Sequence, residues 1–190
     1  MKKLNRFRTY SLIVLGLLLL FTNSCKKVND NVLMIGQSYQ GGIIAYILLP
    51  GDPGYNANIQ HGLLAAPSDQ STSITWYNGS NTSTGATATV LEAGNDNTNT
   101  IVASQGAGNY AAKLCYDLVL GSYSDWFLPS KDELNKIYLA KVAIGGFTTQ
   151  FYWSSTESDA GIAWTQDFTG GSQASEGKYN QLHVRAIRNF

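Results

Sequence analysis

The sequence predicts an α+β domain, because its strand-like and helical segments fall in separate blocks rather than in alternation. An apolar run at 43–49 opens the domain, two helical patterns occupy the middle of the chain, and strand-like segments fill the last third. The chain has 190 residues, of which 12% are aromatic, and this suits one ordered domain. We therefore expect a single domain with two central helices and a mainly antiparallel sheet.

The first block contains three predicted strands and one long loop. The run at 43–49 lies between glycines and a Pro-Gly turn, which is typical of a buried strand. Shorter strands are predicted at 62–66 and 74–77. Residues 78–100 are rich in Asn, Thr, Ser and Gly without apolar periodicity, so we expect a long surface loop there.

Helical spacing predicts a first helix within 101–120. Its apolar residues recur at intervals of three and four and therefore share one face: Ala111, Leu114, Cys115, Leu118 and Val119. Because Cys115 lies on this stripe, we expect it in the core, where a free cysteine behaves as a small hydrophobic residue. Gly121 is suited to end the helix.

A capping box predicts the start of the second helix. Ser130 precedes Glu133 by three residues, the spacing at which each side chain accepts a backbone N–H of the other residue. The predicted buried face consists of Leu134, Ile137, Tyr138 and Val142. Strands are then predicted at 151–155, 162–168 and 182–188, with a turn at 169–172.

The N-terminus has the pattern of a secretory signal. Four basic residues precede an apolar stretch at 12–21, which is shorter than the roughly 20 residues that span a bilayer as a helix. A small residue directly before Cys25 resembles the lipobox of bacterial lipoproteins, in which the cysteine is lipidated. We expect a signal peptide at 1–24, a lipidated linker at 25–35 and the folded domain at 36–190. An ordinary signal peptide that ends near a cysteine by coincidence is the alternative.

The signal places the protein in the bacterial cell envelope, anchored to a membrane through lipidated Cys25. We expect the outer membrane, on its periplasmic face or on the cell surface. Removal of residues 1–24 leaves nine basic and thirteen acidic residues, a net charge of −4, so nucleic acid is not an expected partner. Cys115 then remains as the single free thiol, which excludes a disulfide framework or a cysteine-based metal site.

The sequence predicts no catalytic residue, no metal and no cofactor. Its two histidines, His61 and His183, are far apart and lack the spacing of metal ligands. Glu157, Asp159 and Asp167 could supply the two carboxylates that glycoside hydrolysis needs, but nothing in their spacing requires it.

Aromatic side chains among polar neighbours are the better candidates for a binding surface. Exposed rings stack on the apolar faces of sugars, while nearby amides and carboxylates bind the hydroxyl groups. The ligand-binding candidates are Trp76, Tyr77, Trp164, Asp167 and Tyr179.

Other large or charged residues are expected to be structural. Trp126 and Trp153 are predicted in the core together with Cys115. Glu133 is expected to pair with Arg185 and Arg188 and so to lock the second helix to the last strand.

Five segments, in this order, resemble the Lcl C-terminal domain family, which is named for a bacterial collagen-like adhesin. They are QGGII at 40–44, AAKLC at 111–115, DWFLPSKDEL at 125–134, YWSSTE at 152–157 and VRAIR at 184–188. The resemblance covers residues 36–190. It implies display outside the cytoplasm and a C-type-lectin-like α+β fold, which sulfatase-modifying-factor domains share.

The resemblance does not carry a ligand over to this chain. The adhesin that names the family is associated with sulfated glycosaminoglycans, which need a basic surface, whereas this mature chain is acidic. The cysteine pair of sulfatase-modifying factors is missing, as are the sugar-binding motifs of C-type lectins. We therefore predict a non-enzymatic cell-envelope lipoprotein that binds a glycan or another protein. A structural envelope protein acting through protein contacts and a carbohydrate-active enzyme-like domain are the alternatives.

Overall fold

Two β-sheets and four helices make up residues 32–190, the part of the chain that the computed structural model describes. The predicted signal peptide at 1–24 and the lipidation site Cys25 lie outside the described residues. The predicted α+β class is confirmed, since the helices occupy the middle of the described chain and strands flank them. None of the described helices is both long and apolar enough to cross a bilayer.

The element bounds are as follows. The strands are β1 (Ser38–Tyr39), β2 (Gly42–Ile47), β3 (Gly62–Ala65), β4 (Ser71–Ile74), β5 (Phe151–Glu157), β6 (Ile162–Asp167), β7 (Gln173–Gly177), β8 (Leu182–Val184) and β9 (Ile187–Asn189). The helices are α1 (Ala93–Gln105), α2 (Ala111–Tyr116), α3 (Lys131–Leu139) and α4 (Lys141–Ile144).

The strands form one four-stranded and one five-stranded sheet. Their orders are β1-β2-β3-β9 and β4-β8-β5-β6-β7. Every pair is antiparallel except β5 with β8, where Tyr152 lies opposite His183. Because β9 pairs with β3, the strands of residues 38–65 share a sheet with the end of the chain.

The strand predicted at 182–188 is in fact two strands that belong to different sheets. β8 pairs with β4 and β5, whereas β9 pairs with β3. Arg185 and Ala186 connect them and are buried. β7 is absent from the predicted strands because its sequence, QASEG, carries no run of β-branched or aromatic residues.

The region predicted as a surface loop contains most of α1. The buried face of this helix is largely polar and includes Asn97, Thr98 and Gln105. Asn97 Nδ2 donates to the carbonyl oxygen of Ala88 at 2.7 Å, and Thr98 Oγ1 accepts the N–H of Leu128 at 3.0 Å. Since hydrogen bonds rather than apolar contacts dock this face, the apolar periodicity that predicts a helix is missing.

The prediction of a single helix within 101–120 is wrong, because two separate helices cover parts of this region. α1 ends at Gln105 and is followed by Gly106, which adopts a φ of 68°, and α2 covers only Ala111–Tyr116. Val119 therefore lies beyond the helix and is exposed. Cys115 is buried in the core.

The capping box at the start of α3 is confirmed. Ser130 Oγ accepts the N–H of Glu133, and Glu133 Oε2 accepts the N–H of Ser130 at 2.7 Å. The prediction that Val142 is buried is wrong. α3 ends at Leu139 and the short α4 begins at Lys141, so the helical phase changes across Ala140 and Val142 is 91% exposed.

Two apolar clusters form the core. Trp76, Trp126, Trp153 and Cys115 belong to the first cluster. Phe127, Leu134, Ile137, Tyr152 and Phe168 belong to the second. The tryptophan N–H groups of the first cluster donate to backbone carbonyl oxygens, which satisfies their polar atoms inside the core.

Candidate ligand-binding surface

The five predicted ligand-binding residues do not form one continuous surface. Tyr179 is 67% exposed in the turn between β7 and β8. Trp164, on β6, and Tyr77 are partly exposed. The ammonium of Lys131 lies 3.5 Å from the centroid of the Trp164 ring, so one face of that ring is covered. Tyr179 is the most open aromatic side chain of the five candidates.

Trp76 cannot contribute a surface for stacking, because its side chain is completely buried. Its Nε1 donates to the carbonyl oxygen of Ser154 at 2.8 Å. The ammonium of Lys178 lies 4.4 Å from its ring centroid. Trp76 is therefore part of the core beneath the surface and not of the surface itself.

The carboxylate of Asp167 binds backbone N–H groups of the turn that follows it. Its carboxylate accepts the N–H of Thr169 at 2.7 Å and the N–H of Gly170 at 3.0 Å. These hydrogen bonds hold the pKa of Asp167 below its usual value. Both oxygens therefore have structural partners at the start of the turn before β7.

Three loops meet around one buried ion pair, and together they form the surface to which Tyr179 belongs. We call residues 78–85, 158–161 and 177–181 the loop surface. Lys178 Nζ donates to Glu157 Oε1 at 2.5 Å, and both side chains are at most 1% exposed. The same ammonium donates to the carbonyl oxygens of Ala160 at 3.0 Å and of Thr82 at 3.3 Å. One cation thus connects all three loops.

Glu157 holds the first of these loops through its backbone. Its carboxylate accepts the N–H groups of Thr84 and Gly85 at 2.9 Å. Burial alone raises the pKa of Glu157, but the hydrogen bonds from Lys178, Thr84 and Gly85 outweigh it, so the pKa lies below the usual value. Glu157 is therefore ionised at neutral pH, and both of its oxygens accept hydrogen bonds. It has no proton to donate in acid catalysis.

The loop surface carries polar side chains as well as the exposed Tyr179 ring. Asn81 and Asp159 are exposed. Gly161 lies close to both, because a Cβ at that position would be 3.8 Å from Asn81 Nδ2 and from Asp159 Oδ1, which is ordinary van der Waals contact. Asn180 Nδ2 donates to Glu176 Oε2 at 3.1 Å. Amide donors, carboxylate acceptors and an exposed ring on the same group of loops suit a ligand with hydroxyl groups.

No group of three metal-ligating side chains occurs within residues 32–190. Asp159 Oδ1 accepts the N–H of Gly161 at 2.7 Å, which fixes the short turn between β5 and β6. The three carboxylates considered for glycoside hydrolysis are thus each bound to backbone N–H groups of neighbouring loops or turns.

The expected ion pair between Glu133 and the two arginines is wrong. Glu133 accepts the N–H groups of Ser130 and Glu92 instead. Arg185 binds Asp69, with its Nε 2.6 Å from Oδ1.

Arg188 binds Asp125 through two hydrogen bonds of 2.7 and 2.8 Å. Asp69 and Asp125 were not identified from the sequence, because pairs separated by more than 60 residues leave no local pattern. Both arginines are buried, and their ion pairs with Asp69 and Asp125 connect the end of the chain to distant segments.

A family model described as the Lcl C-terminal domain matches residues 66–188. No curated protein matches the chain. A crystal structure described as a fimbrial protein from Bacteroides ovatus ATCC 8483 is similar, with 16% sequence identity and a TM-score of 0.52. The alignment covers 77% of this chain and 43% of that protein, so this chain spans less than half of its length. At this identity the likeness shows a shared fold.

Proposed function

The chain belongs to the Lcl C-terminal domain family, and we propose on this basis that it is a non-enzymatic, ligand-binding lipoprotein of the bacterial cell envelope. The signal pattern and Cys25 support export and lipid anchoring in the outer membrane. The family takes its name from an adhesin, and the similar Bacteroides ovatus structure is described as a fimbrial protein. Both support an adhesin-like role for the domain outside the cytoplasm.

The observation that carries this proposal is the construction of the loop surface. Its three loops have little regular structure, yet Lys178 and Glu157 hold them together from beneath. A surface that is ordered before the ligand arrives loses less conformational entropy on binding. The buried ion pair therefore favours recognition at these loops over a role as a flexible connection.

The proposed ligand is a glycan of low charge. The exposed ring of Tyr179 offers a face for a pyranose, and the amides of Asn81 and Asn180 can bind its hydroxyl groups. A sulfated glycan is disfavoured because Lys178, the cation of the loop surface, is buried and paired with Glu157. Asp159 and Glu176 add negative charge on the outer side.

The test is a broad glycan array with the full-length lipoprotein in detergent, in calcium and again in EDTA. We expect binding that Tyr179→Ala abolishes. Tyr116→Ala is the matched control, since Tyr116 is an exposed tyrosine on α2 and lies outside the loop surface. Circular dichroism checks that each variant is folded.

A blank array with folded protein would overturn the glycan proposal. Equal loss of binding in both tyrosine variants would place the ligand elsewhere on the domain. Loss in EDTA would show that a cation takes part in binding, contrary to the prediction that no metal is used.

A further inference from the structure

An apolar groove lies where the described chain begins. It has a volume of about 490 Å³ and is formed by the segment that precedes β1, by β2 and by the α3–α4 region. The residues that line it include Ile35, Ala45, Tyr46, Leu139, Val142 and Ala143. We call it the α3–α4 groove.

The rim of the groove exposes large apolar side chains. Val142 is 91% exposed and Leu139 is 69% exposed. Val32 and Met34, just before Ile35 on the groove wall, are also more than half exposed. Soluble proteins seldom leave such a cluster of apolar residues in water, and its presence indicates a surface that something covers.

One lysine lines the groove and a second precedes Val142: these are Lys136, and Lys141 at the start of α4. Lys136 Nζ lies 3.2 Å from the hydroxyl of Tyr46, and Lys141 Nζ donates to the carbonyl oxygen of Phe168. Asp52 and Asp167 are the acidic side chains on which the charges of Lys136 and Lys141 act, but neither forms a salt bridge with them. Each ammonium has three donors, so both retain a donor for an anionic group outside the domain. Elsewhere among residues 32–190, Lys113, Lys178, Arg185 and Arg188 form ion pairs with acidic side chains.

The chain between the anchor and the groove is short. Cys25 precedes Val32 by seven residues, and a chain spans at most about 3.6 Å per residue, so the separation cannot exceed about 25 Å. A surface tethered so closely to a bilayer meets it at a high effective concentration. The bilayer that holds the acyl chains is therefore the favoured partner, ahead of a second copy of the chain.

We propose that the α3–α4 groove docks on the surface of the membrane in which Cys25 is anchored. Leu139 and Val142 enter the boundary between head groups and acyl chains, while Lys136 and Lys141 bind anionic head groups. The docking adds a second attachment to the acyl anchor and orients the domain on the bilayer. This inference rests on the lipid anchor of the proposed function.

The test uses the full-length acylated chain in vesicles of phosphatidylethanolamine and phosphatidylglycerol. The variant Val142→Cys is labelled with the fluorophore NBD. Dithionite reduces NBD where water reaches it, so the rate at which the fluorescence is lost is measured. Val119→Cys is the matched control, because Val119 is also an exposed valine but does not line the groove. The thiol of Cys25 is blocked by the proposed lipid and Cys115 is buried, so the label reports the introduced cysteine.

We expect the label at position 142 to be reduced several-fold more slowly on vesicles than in detergent, with a blue-shifted emission, while the label at 119 stays accessible. Vesicles of phosphatidylcholine alone should give weaker protection, because they lack the anionic head groups.

Flotation of the chain with the vesicles and mass spectrometry of Cys25 are read in parallel. An acylated, floating chain with both labels accessible would overturn the docking and leave the lipid anchor intact. A chain that is not acylated and does not float would overturn the anchor and the docking together. Protection at 142 without vesicles that grows with protein concentration would overturn the docking in favour of self-association.

Discussion

The ammonium of Lys178 lies 2.5 Å from Oε1 of Glu157, and both side chains are almost completely buried. Water therefore contributes little to the solvation of either charge, and each depends on the other and on backbone groups. The carbonyl oxygens of Thr82 and Ala160 complete the surroundings of the ammonium. The loops of the proposed binding surface thus depend on one ion pair.

Lys178→Met should strongly destabilise the domain. The substitution leaves the Glu157 carboxylate buried without its cation, and removal of one partner of a buried pair costs about 3–5 kcal/mol. We expect this loss in the free energy of unfolding at pH 7, measured by urea denaturation. The double variant with Glu157→Gln should lose less than the sum of the two single variants.

The matched control is Lys113→Met. Lys113 pairs with Asp117 on the surface, where the Asp117 side chain is more than half exposed. Such pairs contribute about 0–1 kcal/mol. Losses of equal size in the two lysine variants would contradict the structural role of the buried pair.

Glu133→Gln should change the pH dependence of stability. Burial raises the pKa of Glu133 to about 7, against hydrogen bonds from the N–H groups of Ser130, Glu92 and Gly94 that lower it. The folded state therefore keeps this proton up to about pH 7, whereas an unfolded chain loses it near 4.5. The protonated Glu133 side chain therefore contributes fully to the free energy of unfolding below pH 4.5, and this contribution is lost as the pH rises through 7.

We expect the free energy of unfolding of the native chain to fall by up to about 3 kcal/mol more than that of Glu133→Gln between pH 4.5 and pH 7.5. Ser130→Ala is the control, because it removes the other half of the capping box and no titratable group. It should cost about 1 kcal/mol and still lose stability between pH 4.5 and pH 7.5, because Glu133 still titrates in that variant. Parallel curves for the native chain and Glu133→Gln would show that Glu133 does not titrate in this range.

Much of the fold could be predicted because the segments that specify it carry strong local patterns. The apolar runs of β2 and β3 and the capping box of α3 each identify their element within a few residues. α1 carries no such pattern, since its docked face uses Asn97 and Thr98 to form hydrogen bonds with distant segments.

The candidate site was predicted less well than the fold. Trp76 and Trp164 stand among similar polar neighbours in sequence, yet one is fully buried and the other is partly exposed. Lys178 shows no local signal at all, because its partners Thr82, Glu157 and Ala160 lie 18 to 96 positions away. Long-range pairing decides the site, and a single sequence does not display it.

Cys115 should not react with thiol reagents in the folded protein. It is completely buried, and burial raises the pKa of its thiol far above the usual value, so almost no thiolate forms. For a chain that carries the proposed lipid on the Cys25 sulfur, we expect no reaction with Ellman's reagent in native buffer and one reactive thiol per chain in guanidinium. Reaction at a comparable rate in both conditions would contradict the buried placement.

Lys131→Ala should uncover the Trp164 ring without unfolding the domain. The Lys131 ammonium lies 3.5 Å from the ring centroid, and such cation–π contacts contribute about 0.5–1 kcal/mol at exposed sites. Trp76, Trp126 and Trp153 are at most 2% exposed, so collisional quenching of tryptophan fluorescence reports mainly on Trp164.

We expect acrylamide to quench Lys131→Ala more strongly than the native chain. Lys136→Ala is the control, because the Lys136 ammonium lies over Tyr46 and over no tryptophan. Equal quenching in the two variants would show that Lys131 does not cover the ring in solution. A glycan that protects Trp164 from acrylamide in Lys131→Ala would extend the binding surface from the loops onto β6, with Lys131 controlling access to it.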